Sequence, residues 1–121
     1  MKIAYFDIHS GISGDMALGA LIDAGLSLGA LQKELSKLKI KGYRLSKTRV
    51  RRGAIMATKF DCIAHNGHHH AHRSVREILK LIERSTLKPN IKTMAKTMFS
   101  VIGVAEAKVH GINPKGDIRL S

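Results

Sequence analysis

Two strand candidates, 43–50 and 54–63, are separated only by Arg51-Arg52-Gly53. So short a connection carrying a glycine implies an antiparallel hairpin, and this pair constrains the fold more than any other segment. In the second strand Met56, Phe60 and Cys62 share one face with Ala54 and Thr58. Lys59 and Asp61 share the other face with Ile55, Ala57 and Ile63. Cys62 is therefore expected as a small core hydrophobe. The first strand alternates poorly and carries Arg44, Lys47 and Arg49, which predicts an edge position.

The elements around the hairpin follow from apolar spacing. Ile3-Ala4-Tyr5-Phe6 is continuously apolar and predicts a buried central strand over 2–7, closed by Asp7. If its path into the hairpin makes a parallel neighbour, that crossover is right-handed. Helices are predicted near 14–25, 27–38, 74–84 and 89–110. The first is apolar nearly all round from Met16 to Ala24. Its exceptions Asp15, Gly19 and Asp23 form one stripe at i, i+4 and i+8, so it should be buried on most sides. Gly25 stops it. Ser27 caps the second, striped by Leu28, Leu31, Leu35 and Leu38. Ser74 and Glu77 form a capping box for the third, whose face is Val75, Ile78, Leu79 and Ile82. Pro89 suits the first turn of the fourth. That helix shows Ile91, Met94, Ala95, Met98, Ile102, Ala105 and Val109 on one stripe and ends at Gly111. Both helix pairs need a surface to cover. The predicted fold is therefore α+β, a small mixed sheet (strand 2–7 and hairpin 43–63) covered by two pairs of helices in one domain.

Composition narrows the functional classes. The chain has 121 residues, of which 21 are Lys or Arg against 9 Asp or Glu, giving a net charge of +12. Such a field attracts anionic partners. Aromatics are 4% and Trp is absent, so stacking platforms for single strands are poorly supplied. Lys39, Lys41, Arg44, Lys47, Arg49, Arg51 and Arg52 fit a solvated face or a protected edge as readily as a nucleic-acid contact, and no known nucleic-acid module accompanies them. One cysteine excludes a disulfide framework. No apolar stretch reaches the ~18 residues of a membrane span, and no membrane partner is expected.

Three groups could carry chemistry. In the Gly/Ser loop after the first strand candidate, Ser10, Gly11, Ser13 and Gly14 would offer backbone amides and hydroxyls to a phosphate at the start of a helix. The same residues also fit a tight turn with Ser13 as an ordinary cap. No Lys-Ser/Thr follows the glycines, so the loop is not a P-loop. Asp7, His9 and Asp15 surround it and could hold a cation or accept a proton. Five of the seven histidines lie between 65 and 72. Imidazoles suit nickel, copper and zinc, and His68, His69, His70 and His72 are the candidate metal ligands.

Phe6-Asp7, the heptad Ser10-Gly11-Ile12-Ser13-Gly14-Asp15-Met16, Arg51-Arg52-Gly53 with Ala57-Thr58-Lys59, the His-rich tract and Ala105-Glu106-Ala107-Lys108-Val109-His110-Gly111 occur in this order. Together they resemble the LarC family of nickel insertion proteins over nearly the whole chain. The resemblance implies a lyase-type nickel chelatase, or cyclometallase, that inserts nickel into a pyridinium bisthiocarboxylic acid mononucleotide. It forms one nickel–carbon and two nickel–sulfur bonds, consumes CTP with a divalent cation, and serves the nickel-pincer cofactor of lactate racemase. It also implies that the CTP-binding region is C-terminal and absent from these residues, and it raises a separately encoded C-terminal half as a partner. Asp7, Ser10, Ser13 and Asp15 would bind or position the nucleotide, and the four histidines would recruit nickel. A homo-oligomer in the cytoplasm is expected. The rival readings are a non-catalytic nickel-binding or storage module and, after it, a basic nucleic-acid-binding protein.

Overall fold

In the computed structural model, which describes residues 3–7, 9–65 and 73–111, the hairpin is formed by β1 (Tyr43–Arg52) and β2 (Ile55–Ala64). They pair antiparallel from Tyr43 opposite Ala64 to Arg52 opposite Ile55. The loop is thus only Gly53-Ala54, and the two arginines expected in the turn belong to β1. Four helices complete the fold: α1 (Gly14–Asp23), α2 (Leu28–Ser36), α3 (Val75–Arg84) and α4 (Pro89–His110). The fold is α+β, as the sequence predicts.

Among the described residues the sheet is antiparallel and not mixed. Among the described residues it has two strands, and the strand expected over 2–7 is not formed, since residues 3–7 have no regular structure. Tyr5 is 88% exposed. An apolar run becomes a central strand only with ladder partners and cover on both faces, and the described residues supply neither.

The chain divides into two compact units, 1–32 with 42–65 and 33–41 with 66–121. In the first, α1 packs on β2 through its stripe of small and polar residues. Gly19 lies so close that a β-carbon there would sit 2.6 Å from the Thr58 carbonyl oxygen and 3.5 Å from the Phe60 amide nitrogen. Ile22 and Phe60 are buried. The helix is closed by a Schellman motif: the Leu26 amide donates to the Leu21 carbonyl at 2.9 Å and the Gly25 amide to the Ile22 carbonyl at 3.1 Å. Gly25 takes the left-handed φ of 112° that this turn requires.

The expectation that α1 is buried on most sides is therefore corrected. Only Gly19 and Ile22 are buried, while Met16 and Leu21 face solvent. Cys62 is also exposed, not in the core. For Cys62 the reason is length. Ten helical residues span about 15 Å, whereas ten strand residues span about 34 Å. α1 covers the middle of β2 near Thr58 and Phe60 and leaves Met56 and Cys62 outside.

In the second unit the capping box opens α3. The Ser74 hydroxyl accepts from the Glu77 amide at 3.3 Å, and the Ser74 amide donates to the Glu77 carboxylate at 2.9 Å. Val75 and Ala107 are buried together with Leu79 against them. A β-carbon on Gly103 would meet both Val75 methyls at 3.2 Å. The contact of α3 with α4 thus uses the small pair Gly103 and Ala107, one turn apart. The apolar stripe predicted on α4 is exposed instead: Ile91, Met94, Met98, Ile102 and Val109 all face solvent. Close helix approach favours small residues, so apolarity alone misidentified the packed face.

The two glycines are expected to respond differently to alanine. Each substitution gains about 1 kcal/mol of helix propensity. At Gly19 the added methyl meets backbone, which cannot rotate away, and the net result should be a loss of about 1–3 kcal/mol. At Gly103 it meets mobile valine methyls, and stability should change by less than about 1 kcal/mol. Urea unfolding of Gly19→Ala and Gly103→Ala checks the ranking.

Candidate functional site

The first turn of α1 is where the predicted loop meets the sheet. Ser13 sits at the cap position in extended conformation, and its carbonyl accepts from the Ala17 amide at 3.0 Å. Its hydroxyl does not cap the helix amides. Instead the Ser13 hydroxyl, followed by the backbone amides of Asp15 and Met16, holds the Asp15 carboxyl below the ordinary aspartate range, and Lys59 adds to the pull. Among the described residues nothing bonds the amides of Ser10, Gly11, Ile12, Ser13 and Gly14 through the backbone, and all five residues are exposed.

Asp7 and His9 are brought together, with His9 Nε2 3.6 Å from the Asp7 carboxylate. Among the described residues no hydrogen bond or ion pair links Asp7 with Asp15. His68, His69, His70 and His72 lie outside the described residues. Among those described, no group of three or more His, Cys, Asp or Glu side chains is placed to hold a metal ion. Glu106 and His110, at 3.2 Å across one turn of α4, form only a pair.

Sequence reasoning missed what flanks this turn. A cleft of about 540 Å³ opens between α1 and the hairpin. Asp15, Met16 and Gly19 line it from α1, Arg52 from the end of β1, and Met56 and Lys59 from β2. Lys59 Nζ lies 2.9 Å from the Asp61 carboxylate. Arg52 has no partner among the described residues. At the far end of α1, Asp23 Oδ1 accepts from Arg49 Nη1 and from the Thr58 hydroxyl, each at 2.6 Å. Arg49 also donates to Thr58 Oγ1 at 3.3 Å. This knot ties both strands to the helix. The signal was present in the spacing of Asp15, Gly19 and Asp23, which marks the helix face that meets the strand.

A family model described as "Nickel insertion protein" matches residues 4–117. The chain belongs to this nickel insertion family. It is 47% identical over 120 residues to the pyridinium-3,5-bisthiocarboxylic acid mononucleotide nickel insertion protein of Geobacillus kaustophilus, covering 93% of this chain and 29% of that protein. The protein of the same name from Acetivibrio thermocellus is 42% identical over 117 residues, covering 91% and 29%. That from Desulfitobacterium hafniense DCB-2 is 45% identical over 111 residues, covering 92% and 27%. The chain thus spans less than a third of these relatives. No solved structure matches it. No helix among the described residues is long and apolar enough to cross a membrane.

The environment of Asp15 has a measurable consequence. Its folded-state pKa is depressed, so its stabilising contacts are complete above about pH 4 and are lost as pH falls through the lower folded value. A carboxyl-detected NMR titration should place its midpoint below that of an unstructured aspartate. Ser13→Ala should move the midpoint upward, because the largest contribution comes from the Ser13 hydroxyl.

Proposed function

We propose that this chain supplies part of the substrate site of an enzyme that inserts nickel into pyridinium-3,5-bisthiocarboxylic acid mononucleotide. The observation that carries the reading is 47% identity, over 93% of the chain, to a protein named for that reaction. In this reading the amides of Ser10, Gly11, Ser13 and Gly14, with the Ser10 hydroxyl, receive the phosphate of the mononucleotide. The exposure of that loop supports the assignment, as does the lack of backbone partners for its amides among the described residues. Asp7 and Asp15 act on the ligand. If nickel replaces a ring hydrogen as its bond to carbon forms, one proton leaves that carbon. A carboxylate at the start of α1, where Asp15 stands exposed, is placed to accept it. His68, His69, His70 and His72 recruit the nickel that is consumed, with affinity falling as pH drops through about 6.5 and the imidazoles protonate.

The finer parts of the reading are dependence on CTP and a divalent cation, a product serving lactate racemase, lyase-type chemistry, a cytoplasmic setting, and self-association. CTP is assigned to the part of the relatives' length that this chain does not span. A nickel-storage module is the alternative that the His-rich tract keeps in view.

A reconstitution assay tests the reading. The chain alone, given nickel, CTP, magnesium and the mononucleotide, should form no nickel-containing product by mass spectrometry. Adding the remaining region of the Geobacillus relative as a separate polypeptide should restore insertion, and Asp15→Asn should then abolish most of it. Nickel bound without any insertion in the combined system would favour storage.

A further inference from the structure

We propose that the cleft between α1 and the hairpin is where the pyridinium ring of the mononucleotide lies, with Arg52 and Lys59 holding its two thiocarboxylates and Met16 and Met56 against the ring faces. This rests on the functional reading above and names the part of the site that the Ser/Gly loop does not supply.

The ligand's name states its chemistry: a flat cationic ring, two anionic sulfur-bearing arms and a nucleotide phosphate. A site for such a molecule needs apolar walls for the ring, a cation for each arm, and an anion near the ring charge. The cleft brings these together. Its volume of about 540 Å³ is ordinary for a small-molecule site. Met16 and Met56 give it soft, polarisable walls, which suit an aromatic ring. Both are largely exposed, 58% and 52%, so neither is committed to the core.

The two cations stand apart. Arg52 ends β1 opposite Ile55, and Lys59 is four residues further along β2, a separation of about 13 Å along the strand. Strand alternation puts both on the face away from Met56, and both line the cleft with it. Arg52 has no carboxylate partner among the described residues and is the stronger anchor, since a guanidinium matches a planar carboxylate-like group with two parallel hydrogen bonds. Lys59 shares itself with Asp61. The anion is Asp15, which lines the cleft and is also the second residue of α1. A phosphate on the amides before α1 therefore leaves the rest of the ligand at the mouth of this cleft.

A second basic hollow is less suited to the ligand. Lys39, Lys80 and Arg84 line a space of about 390 Å³ in the other unit. Lys39 follows α2 and Arg84 ends α3, positions where the helix dipole favours a cation without any ligand, and no methionine lines this space.

Calorimetry on the intact chain separates the cleft from the loop. The two probes are the nickel-free mononucleotide and ribose 5-phosphate, which has the phosphate but no ring. Arg52→Ala should weaken binding of the mononucleotide about tenfold or more, as loss of a charge-assisted pair does. It should leave ribose 5-phosphate unchanged, and Arg52→Lys should recover part of the loss. Circular dichroism confirms that each variant is folded. An equal loss for both probes would make Arg52 a phosphate contact and overturn the proposal, as would no loss for either. If ribose 5-phosphate fails to bind while Arg52→Ala still weakens the mononucleotide, the cleft stands and the phosphate loop falls. Absence of mononucleotide binding to the unaltered chain overturns both.

Discussion

The approach of α1 to β2 at Gly19 is the constraint from which the first unit is built. With hydrogen as the side chain, the helix backbone comes so near the strand that a β-carbon would lie 2.6 Å from the Thr58 carbonyl oxygen. Once Gly19 is fixed, Asp15 and Asp23, one turn to either side, are placed along the same strand. Asp23 closes the knot with Arg49 and Thr58. Asp15 lies within the field of Lys59 and lines the cleft. The price is that the apolar flanks of α1 turn outward. Met16 becomes a wall of the cleft instead of core. A stripe that a helix would normally show to water is here the packed face.

Charge then decides what such a cleft can accept. The chain carries +12, yet the acids near the helix are not mere neutralisers. Asp23 is bonded to Arg49 and Thr58 and serves the fold. Asp15 is held ionised by the hydroxyl and amides about it and stays exposed, so it can serve a ligand. Arg52 is the complementary case, a cation without a described partner. One carboxylate and one guanidinium on the rim of an apolar cleft suit a ligand that bears both signs of charge. A simple polyanion such as a nucleic-acid backbone would gain less from Asp15.

Local signals in the sequence translated well into structure. The capping box at Ser74 and Glu77, the proline at the start of α4, the glycine after α1 and the hairpin each depend on a few neighbouring residues, and each appears. Signals that depended on what covers an apolar face did not translate. The run Ile3-Ala4-Tyr5-Phe6, the stripe of α4 and Cys62 all have interior character in the sequence, and all are exposed. Hydrophobic spacing says which side of an element is apolar, not whether a neighbour is present to bury it. The same division holds for the site. The loop residues and Asp15 are contiguous and could be picked from the sequence. Arg52, Met56 and Lys59 join them only through the hairpin register and the contact at Gly19, which no local motif encodes.

The central claim is that the first turn of α1 and the cleft beside it form one continuous ligand surface. Amide NMR of the isotopically labelled chain during titration with the nickel-free mononucleotide tests it most directly. The shifts should be largest at Gly11, Ser13, Asp15, Met16, Arg52, Met56 and Lys59, all moving with a single affinity. Shifts concentrated on α3 and α4, or a loop and cleft that respond with different affinities, would contradict it.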